Sequence, residues 1–342
     1  MELNLQPRLY HNIYLKPAIF FSIINTMENA LQYKFMSAIC QYIKVYIQGP
    51  LLYNDGYIKV FDTYTEPKQV ERFIKLEKLE WKEVDNKASI IDILYTSRYC
   101  LFNIDEFYLP KSYYYKRVHY YRDLLLFGYE NNTFMIMTNN MYGQYTKMII
   151  DADELMVIIR KSLINASSNE NCIYDNSWSV YLLSKKTEKS PAFNIQTFNE
   201  LLLRNFDVSI VYHDNSAGII SEYDVYGFQI YNYIYKATQL LMQNIEKIDY
   251  RAYALLAERY KNIYETLSFL QDKYNTNCFS IYIDKYQQLQ KYMKNVLYSM
   301  LKPCEFMEQR NQLKKACDVI QLCGKVDEEN IGEIYKIMNN FI

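Results

Sequence analysis

The sequence predicts an α+β protein in which strands and helices share the first two thirds and helices close the chain. Three observations carry this. Leu124, Leu125, Leu126 and Phe127 form a continuous apolar run, the kind that a strand covered on both faces requires. Asn131-Asn132 follows in the same stretch, and Asn tolerates the positive φ of a tight hairpin turn. Far downstream, Leu256, Tyr260, Ile263, Leu267 and Leu270 recur at steps of 4, 3, 4 and 3, the stripe of a helix facing its neighbours.

In chain order, Pro17 suits the first turn of a helix carrying Ala18, Ile19, Phe20, Phe21, Ile23 and Ile24. A second helix is predicted near 31–47, ended by Gly49-Pro50. Asp55-Gly56 turns the chain into a strand at 57–61. Asn86 or Asp85 caps a short helix reaching Tyr95, and 99–104 is a strand. The hairpin follows, with strands near 122–129 and 133–139. With Asn131-Asn132 as its loop, Arg122 faces Met141 and Leu124 faces Asn139. Side chains alternate faces, so Arg122 and Asn139 emerge on one face as diagonal neighbours. A one-residue slip replaces Asn139 with Asn140. The polar run 165–170 marks a domain edge; a strand at 178–183 and a helix at 196–206 come after it. Further helices are predicted near 226–245, 281–301, 304–322 and 330–341.

Composition narrows the function classes. The 342 residues are 50% hydrophobic, enough for roughly two domains or one large one with a sizeable core. A net charge of −1, without long runs of one sign, gives no bulk pull toward nucleic acid or a membrane surface. There are 37 tyrosines and only 8 glycines, and neither G-x-G-x-x-G nor G-K-[ST] is present, so the usual phosphate cradles are excluded. Cys40, Cys100, Cys172, Cys278, Cys304, Cys317 and Cys323 are odd in number and lack any C-x-x-C pair, the pattern of reduced thiols in a cytosol. His11, His119 and His213 are far apart, so neither a metal nor a cofactor is expected. No secretion signal opens the chain, and no apolar run approaches the roughly 20 residues of a membrane span, so the expected location is cytoplasmic.

Individual residues have plain readings too. Cys40 and Cys100 sit among apolar neighbours and read as core thiols. Asp105 and Glu106 are adjacent, so in an extended chain they point opposite ways and cannot act as a carboxylate pair. His213-Asp214 reads as a surface turn. Tyr113, Tyr114, Tyr115, Tyr120 and Tyr121 either pack or line an aromatic pocket.

Four ordered stretches carry a family resemblance: NIDEFYLP at 103–110, KRVHYYRDLLLFGYE at 116–130, VYGFQIYNYI at 225–234 and IDYRAYALLAERYKNIYETLSFL at 248–270. Together they resemble bacterial proteins related to the N-terminal domain of the butirosin biosynthesis protein H. That family is a papain-like acyltransferase group common near nonribosomal peptide and other specialised-metabolite genes. The resemblance implies a papain-like core over 1–164, elements completing it over 171–223, and a C-terminal helical region over 224–342.

It also implies a mechanism. A Cys at the start of the central helix becomes thiolate and carries an acyl group, a His opening a strand is the base, and an Asn or Asp after the next strand orients that His. Here the helix start, from Asn12 to Ala18, contains no Cys, and the nearest nucleophile-type residues are Ser22 and Cys40. The strand opens with Arg122, which holds its proton at neutral pH and cannot be a base. His119, Asn139 and Asn140 are therefore the catalytic candidates, and Arg122, Asp105, Glu106 and Tyr121 the ligand-binding ones. The expectation is a catalytically degenerate homologue that binds a carrier-bound acyl or peptidyl intermediate or a partner enzyme. Its rivals are an active amide-forming or amide-cleaving enzyme using His119 and a displaced thiol, and a helical adaptor.

Overall fold

The computed structural model describes residues 1–5, 15–24, 26–27, 42–48, 57–61, 73–142, 145–168, 180–186, 195–203, 205–206, 210–213, 220–242, 251–301 and 306–341. The first half of the chain contains α1 (Leu15–Ile24), β1 (Tyr42–Gln48), β2 (Tyr57–Phe61), β3 (Ile74–Leu79), α2 (Lys87–Tyr95), β4 (Tyr99–Asp105), β5 (Tyr121–Glu130), β6 (Thr133–Asn139), β7 (Tyr145–Asp151) and α3 (Ala152–Ser168). The second half contains β8 (Val180–Lys185), α4 (Ile195–Leu203), β9 (Ile210–His213), β10 (Ile220–Tyr226), α5 (Gln229–Leu241), α6 (Arg251–Tyr274), α7 (Ser280–Leu301) and α8 (Phe306–Asn339). The architecture is mixed α+β, as expected.

The chain forms two compact units, Met1–Ala30 with Pro67–Pro191, and Leu31–Glu66 with Ala192–Ile342. This differs from the division at 164, 171 and 224, because β1 pairs with β10, which carries the segment 31–66 into the second unit.

The first unit is built on a six-stranded sheet, order β3-β8-β4-β5-β6-β7, every pairing antiparallel. Leu124, Leu125, Leu126 and Phe127 are all buried, so the central strand is covered on both faces. α2 starts where Asn86 Oδ1 accepts the backbone N–H of Ser89 at 2.9 Å, a cap contributing about 1 kcal/mol. α3 starts where Asp151 Oδ1 accepts the N–H groups of Asp153 and Glu154. It buries Leu155, Ile158, Ile159 and Ser162 and packs on β4, β6 and β7, while α1 packs on β5 and β6.

The predicted hairpin is present, with Asn131 and Asn132 both at positive φ. Its register holds near the turn and then shifts by one residue between Leu126 and Gly128. Gly128 permits the shift. A Cβ there would stand 2.9 Å from Met135 Sδ and 3.0 Å from the Met1 carbonyl, because the backbone at 1–3 lies along 127–129. The bulge is the anticipated slip. Below it the pairing runs through Leu126 opposite Ile136 and ends with Leu125 opposite Met137, one residue out of the register that set Arg122 against Met141.

The second unit joins a four-stranded antiparallel sheet, order β2-β1-β10-β9, to helices α4–α8. Two expectations change here. The helix predicted near 31–47 gives way at 42–48 to strand β1, whose alternating Tyr42, Ile43, Lys44, Val45, Tyr46 and Ile47 suit a strand; residues 31–41 lie outside those described. His213 pairs with Glu222 in β9 rather than sitting in a turn, and Asp214 lies outside the described residues. The stripe Leu256, Tyr260, Ile263, Leu267 and Leu270 is fully buried, each side chain contributing about 1.5–3 kcal/mol. The helices expected at 304–322 and 330–341 form one helix of 34 residues. Gly324 lies inside it because an added Cβ would stand 2.8 Å from Tyr231 Cγ. Here the glycine permits close helix packing rather than ending the helix.

Candidate functional site

Asp105 ends β4 and Tyr121 opens β5, and these two residues face each other across the ladder. The pairing runs one step further, since Glu106 N–H donates to the Tyr120 carbonyl at 2.8 Å. Alternation therefore sends Asp105, His119 and Tyr121 to one side, and Glu106, Tyr120 and Arg122 to the other. The adjacent carboxylates point opposite ways, as expected, and each organises its own cluster.

On the first side Asp105 is 0% exposed, and its carboxylate is saturated. Oδ1 accepts the N–H groups of Phe107 and Tyr120, each at 3.1 Å. Oδ2 stands 2.6 Å from His119 Nδ1 and accepts Asn165 Nδ2 at 3.0 Å. The second amide hydrogen of Asn165 serves the Tyr121 hydroxyl at 3.2 Å. Its two hydrogens are then both used, so its 3.0 Å approach to His119 Nδ1 is a close contact while that nitrogen's proton goes to Asp105. Ser162 of α3 receives the Asp105 backbone N–H at 2.9 Å, and its carbonyl receives the Tyr121 hydroxyl. The imidazole stacks on Phe107 with ring centroids 4.2 Å apart. Its side chain is 43% exposed, and among the described residues Nε2 has no hydrogen-bond partner. The imidazole is thus held at Nδ1 by a buried carboxylate and reaches solvent with its other edge.

On the second side Glu106 is buried, with Oε2 receiving the Ser112 hydroxyl at 2.9 Å and Oε1 receiving Arg122 at 3.4 Å. Burial raises the carboxyl above its ordinary value of 4.5, outweighing the opposing pull of Arg122 and Ser112. The Arg122 guanidinium lies over the rings of Tyr120 and Tyr114, 4.9 and 5.8 Å from their centroids.

Asn139 and Asn140 are not the groups that orient His119; its Nδ1 is held by Asp105, whose carboxylate Asn165 also holds. Asn140 closes a turn by accepting the Tyr142 N–H at 2.9 Å. Sequence reasoning misses Asn165, Ser162 and Phe107. Asn165 reads as part of a polar boundary, although it is the C-terminal extension of α3 that brings it to Asp105.

The nucleophile position is described only in part. α1 begins at Leu15, close to Pro17 as predicted, so 15–18 of the Cys-free stretch from Asn12 to Ala18 belong to that helix. Asn12, Ile13 and Tyr14 lie outside the described residues, as do the thiols of Cys40, Cys172 and Cys304. Cys100, Cys278, Cys317 and Cys323 are free thiols. Burial pushes Cys100 and Cys323 up to about 12 and Cys317 to about 11, so these three are poor nucleophiles.

The helical unit holds a different polar centre. Asp327 is fully buried and accepts Arg259 Nε at 3.1 Å, the Tyr231 hydroxyl at 2.6 Å and the Tyr286 hydroxyl at 2.7 Å. A pocket of about 330 Å³ lies beside it, lined by Asn205, Phe206, Phe228, Tyr231, Gly324 and Lys325 among others. Among the described residues no helix is long and apolar enough to cross a membrane. No protein-family model and no curated protein matches the chain.

Proposed function

We propose that the chain is a papain-like, butirosin H-type protein of a specialised-metabolite pathway in which thiol chemistry has lapsed. In this reading it binds a carrier-bound acyl or peptidyl intermediate, or a partner enzyme of that pathway. One observation carries the reading. Arg122 stands near the start of β5, where a papain-type site has its base, and leans on the buried Glu106. A guanidinium there holds a ligand but moves no proton. The raised thiols of Cys100, Cys317 and Cys323 also support a binding role.

The test uses an acyl thioester of N-acetylcysteamine, the chemical end of a carrier arm. The expected result is saturable binding without release of free thiol and without an acylated protein in the mass spectrum. Catalytic release of thiol, or a stable acyl-protein, overturns the proposal.

A second reading rests on the 2.6 Å contact between His119 Nδ1 and Asp105. In it the dyad is a working base that receives its proton at Nε2, and the chain is an active amide-forming or amide-cleaving enzyme with a rearranged site. Turnover of the thioester that is abolished by His119→Ala, with folding retained, selects this reading over the first.

A further inference from the structure

The tyrosine-rich loop leading into β5 is not absorbed by either reading. Tyr113 is 54% exposed and Tyr120 39%, so packing does not explain them. Arg117 lies over the Tyr113 ring at 5.3 Å, and Tyr113 meets Tyr114 edge-on at 5.1 Å. Tyr114 stacks on Tyr120 at 4.5 Å, and Arg122 lies over Tyr120. The result is one ladder of cation, three rings and cation.

Backbone and side-chain hydrogen bonds brace the loop. Lys111 and Lys116 both sit at positive φ, strained for residues with a Cβ, and the backbone closes around them. Lys116 N–H donates to the Phe107 carbonyl at 3.0 Å, and Arg117 N–H to the Tyr114 carbonyl at 3.0 Å. The Ser112 hydroxyl, which donates to Glu106, also accepts the Tyr114 N–H. The exposed rings are therefore presented by a pre-organised backbone.

The charge of this surface is one-sided. Residues 106–122 contain Lys111, Lys116, Arg117 and Arg122 against a single carboxylate, Glu106, which is buried. Arg122 has only one hydrogen bond to a described residue, at 3.4 Å to Glu106, longer than the usual 2.7–2.9 Å or so of a charge-assisted bond. Most of its five N–H donors have no partner among the described residues. A planar fork with donors to spare accepts an oxyanion, and an exposed ring beside it accepts a flat π-system.

We propose that this ladder binds a nucleoside phosphate, with the phosphate on the Arg122 fork and the base stacked on the exposed Tyr113 ring, since Tyr120 already lies between Tyr114 and Arg122. The proposal shares Arg122 with the carrier-arm reading and adds the exposed rings, so it fails separately if thioester binds and AMP does not. A neutral aromatic ligand leaves the cations unused, and a bare oxyanion leaves the exposed rings unused. A ligand that joins both uses the whole ladder.

The experiment is calorimetric titration of the full chain with AMP, adenosine and inorganic phosphate at low ionic strength. AMP is expected to bind at least about 10-fold more tightly than either fragment, with affinity falling as salt is added. Arg122→Gln and Tyr113→Ala should each weaken AMP binding about 10-fold or more. Unchanged AMP affinity in Tyr113→Ala means that the base does not stack on the ladder and overturns the proposal. Absence of AMP binding at millimolar ligand overturns it. So does adenosine binding as tightly as AMP, or unchanged AMP affinity in Arg122→Gln shown to be folded by circular dichroism.

Discussion

Each unit has an arginine paired with a carboxylate, and the two pairs are built differently. Arg259 and Asp327 are both buried, and three further polar groups close the network: Tyr231 and Tyr286 donate to Asp327, and Asn205 accepts from Arg259. Burial first, and then the Asp327 charge, push both tyrosines well above their ordinary range, so they remain protonated donors. Arg122 and Glu106 meet at 3.4 Å, with the guanidinium side chain 20% exposed. A buried charge must be fully paired or the fold loses several kcal/mol. An arginine near water tolerates a loose partner because solvent supplies the remaining bonds. The first pair belongs to architecture, and the second leaves donors available to a ligand.

The comparison breaks first at the helical centre. Asp327→Ala leaves Arg259 as an uncompensated buried charge and removes the acceptor from two tyrosines. Denaturant unfolding should show a loss of about 3–5 kcal/mol. Arg122→Gln, its counterpart, should cost less, about 1–2 kcal/mol, because the buried Glu106 carboxyl, already raised by burial, takes up a proton instead of remaining an unpaired charge. Comparable losses from the two changes would erase the distinction.

Asp105→Ala comes next. It orphans the N–H groups of Phe107 and Tyr120 and the donors of Asn165 and His119. The expected cost is about 2–3 kcal/mol, accompanied by faster proteolysis within 106–120. His119→Ala removes one half-exposed ring and should cost about 1 kcal/mol or less. A large loss from His119→Ala would make the imidazole a structural pillar rather than an available base.

The smallest effect is at Glu106. Its folded carboxyl sits above the ordinary 4.5, so the folded state takes up its proton more readily than the unfolded chain. The associated stability is fully present below the unfolded value and is lost as pH rises through the raised folded value. Glu106→Gln should remove that pH dependence with little change at low pH, as read from unfolding midpoints between about pH 4 and 7. An unaltered pH profile would mean that Glu106 is not the group held neutral by burial.

What the sequence made legible was local. Asn131-Asn132 and the run from Leu124 to Phe127 fixed the hairpin, Asn86 its neighbouring cap, and the stripe from Leu256 to Leu270 the central long helix. The readings that failed depend on distant partners. Gly128 reads as an ordinary strand glycine until the backbone at 1–3 approaches it, and the resulting bulge moves the pairing one residue out of the register that set Arg122 against Met141. Gly324 reads as a helix break until Tyr231 packs on it. The alternation across 42–48 was a usable strand signal, overridden by the apolar residues before it. At the site, opposite orientations for Asp105 and Glu106 followed from strand alternation alone. The bond from Asp105 to His119 did not, because a folded loop separates the two residues. Asn165 came from a third element and carried no local signal.

In the proposed reading Arg122 stands where a papain-type site has its base, and no activated thiol accompanies it. Iodoacetamide labelling near neutral pH, read residue by residue by mass spectrometry, tests this most directly. An unassisted Cys has a pKa near ~8.5 and is only a few per cent thiolate at neutral pH. The account predicts that all seven cysteines are found as free thiols after denaturation. In the folded protein each should label slowly, at a rate unaffected by His119→Ala or by an acyl thioester. One cysteine labelling far faster than the rest, protected by the thioester and slowed by His119→Ala, would contradict it.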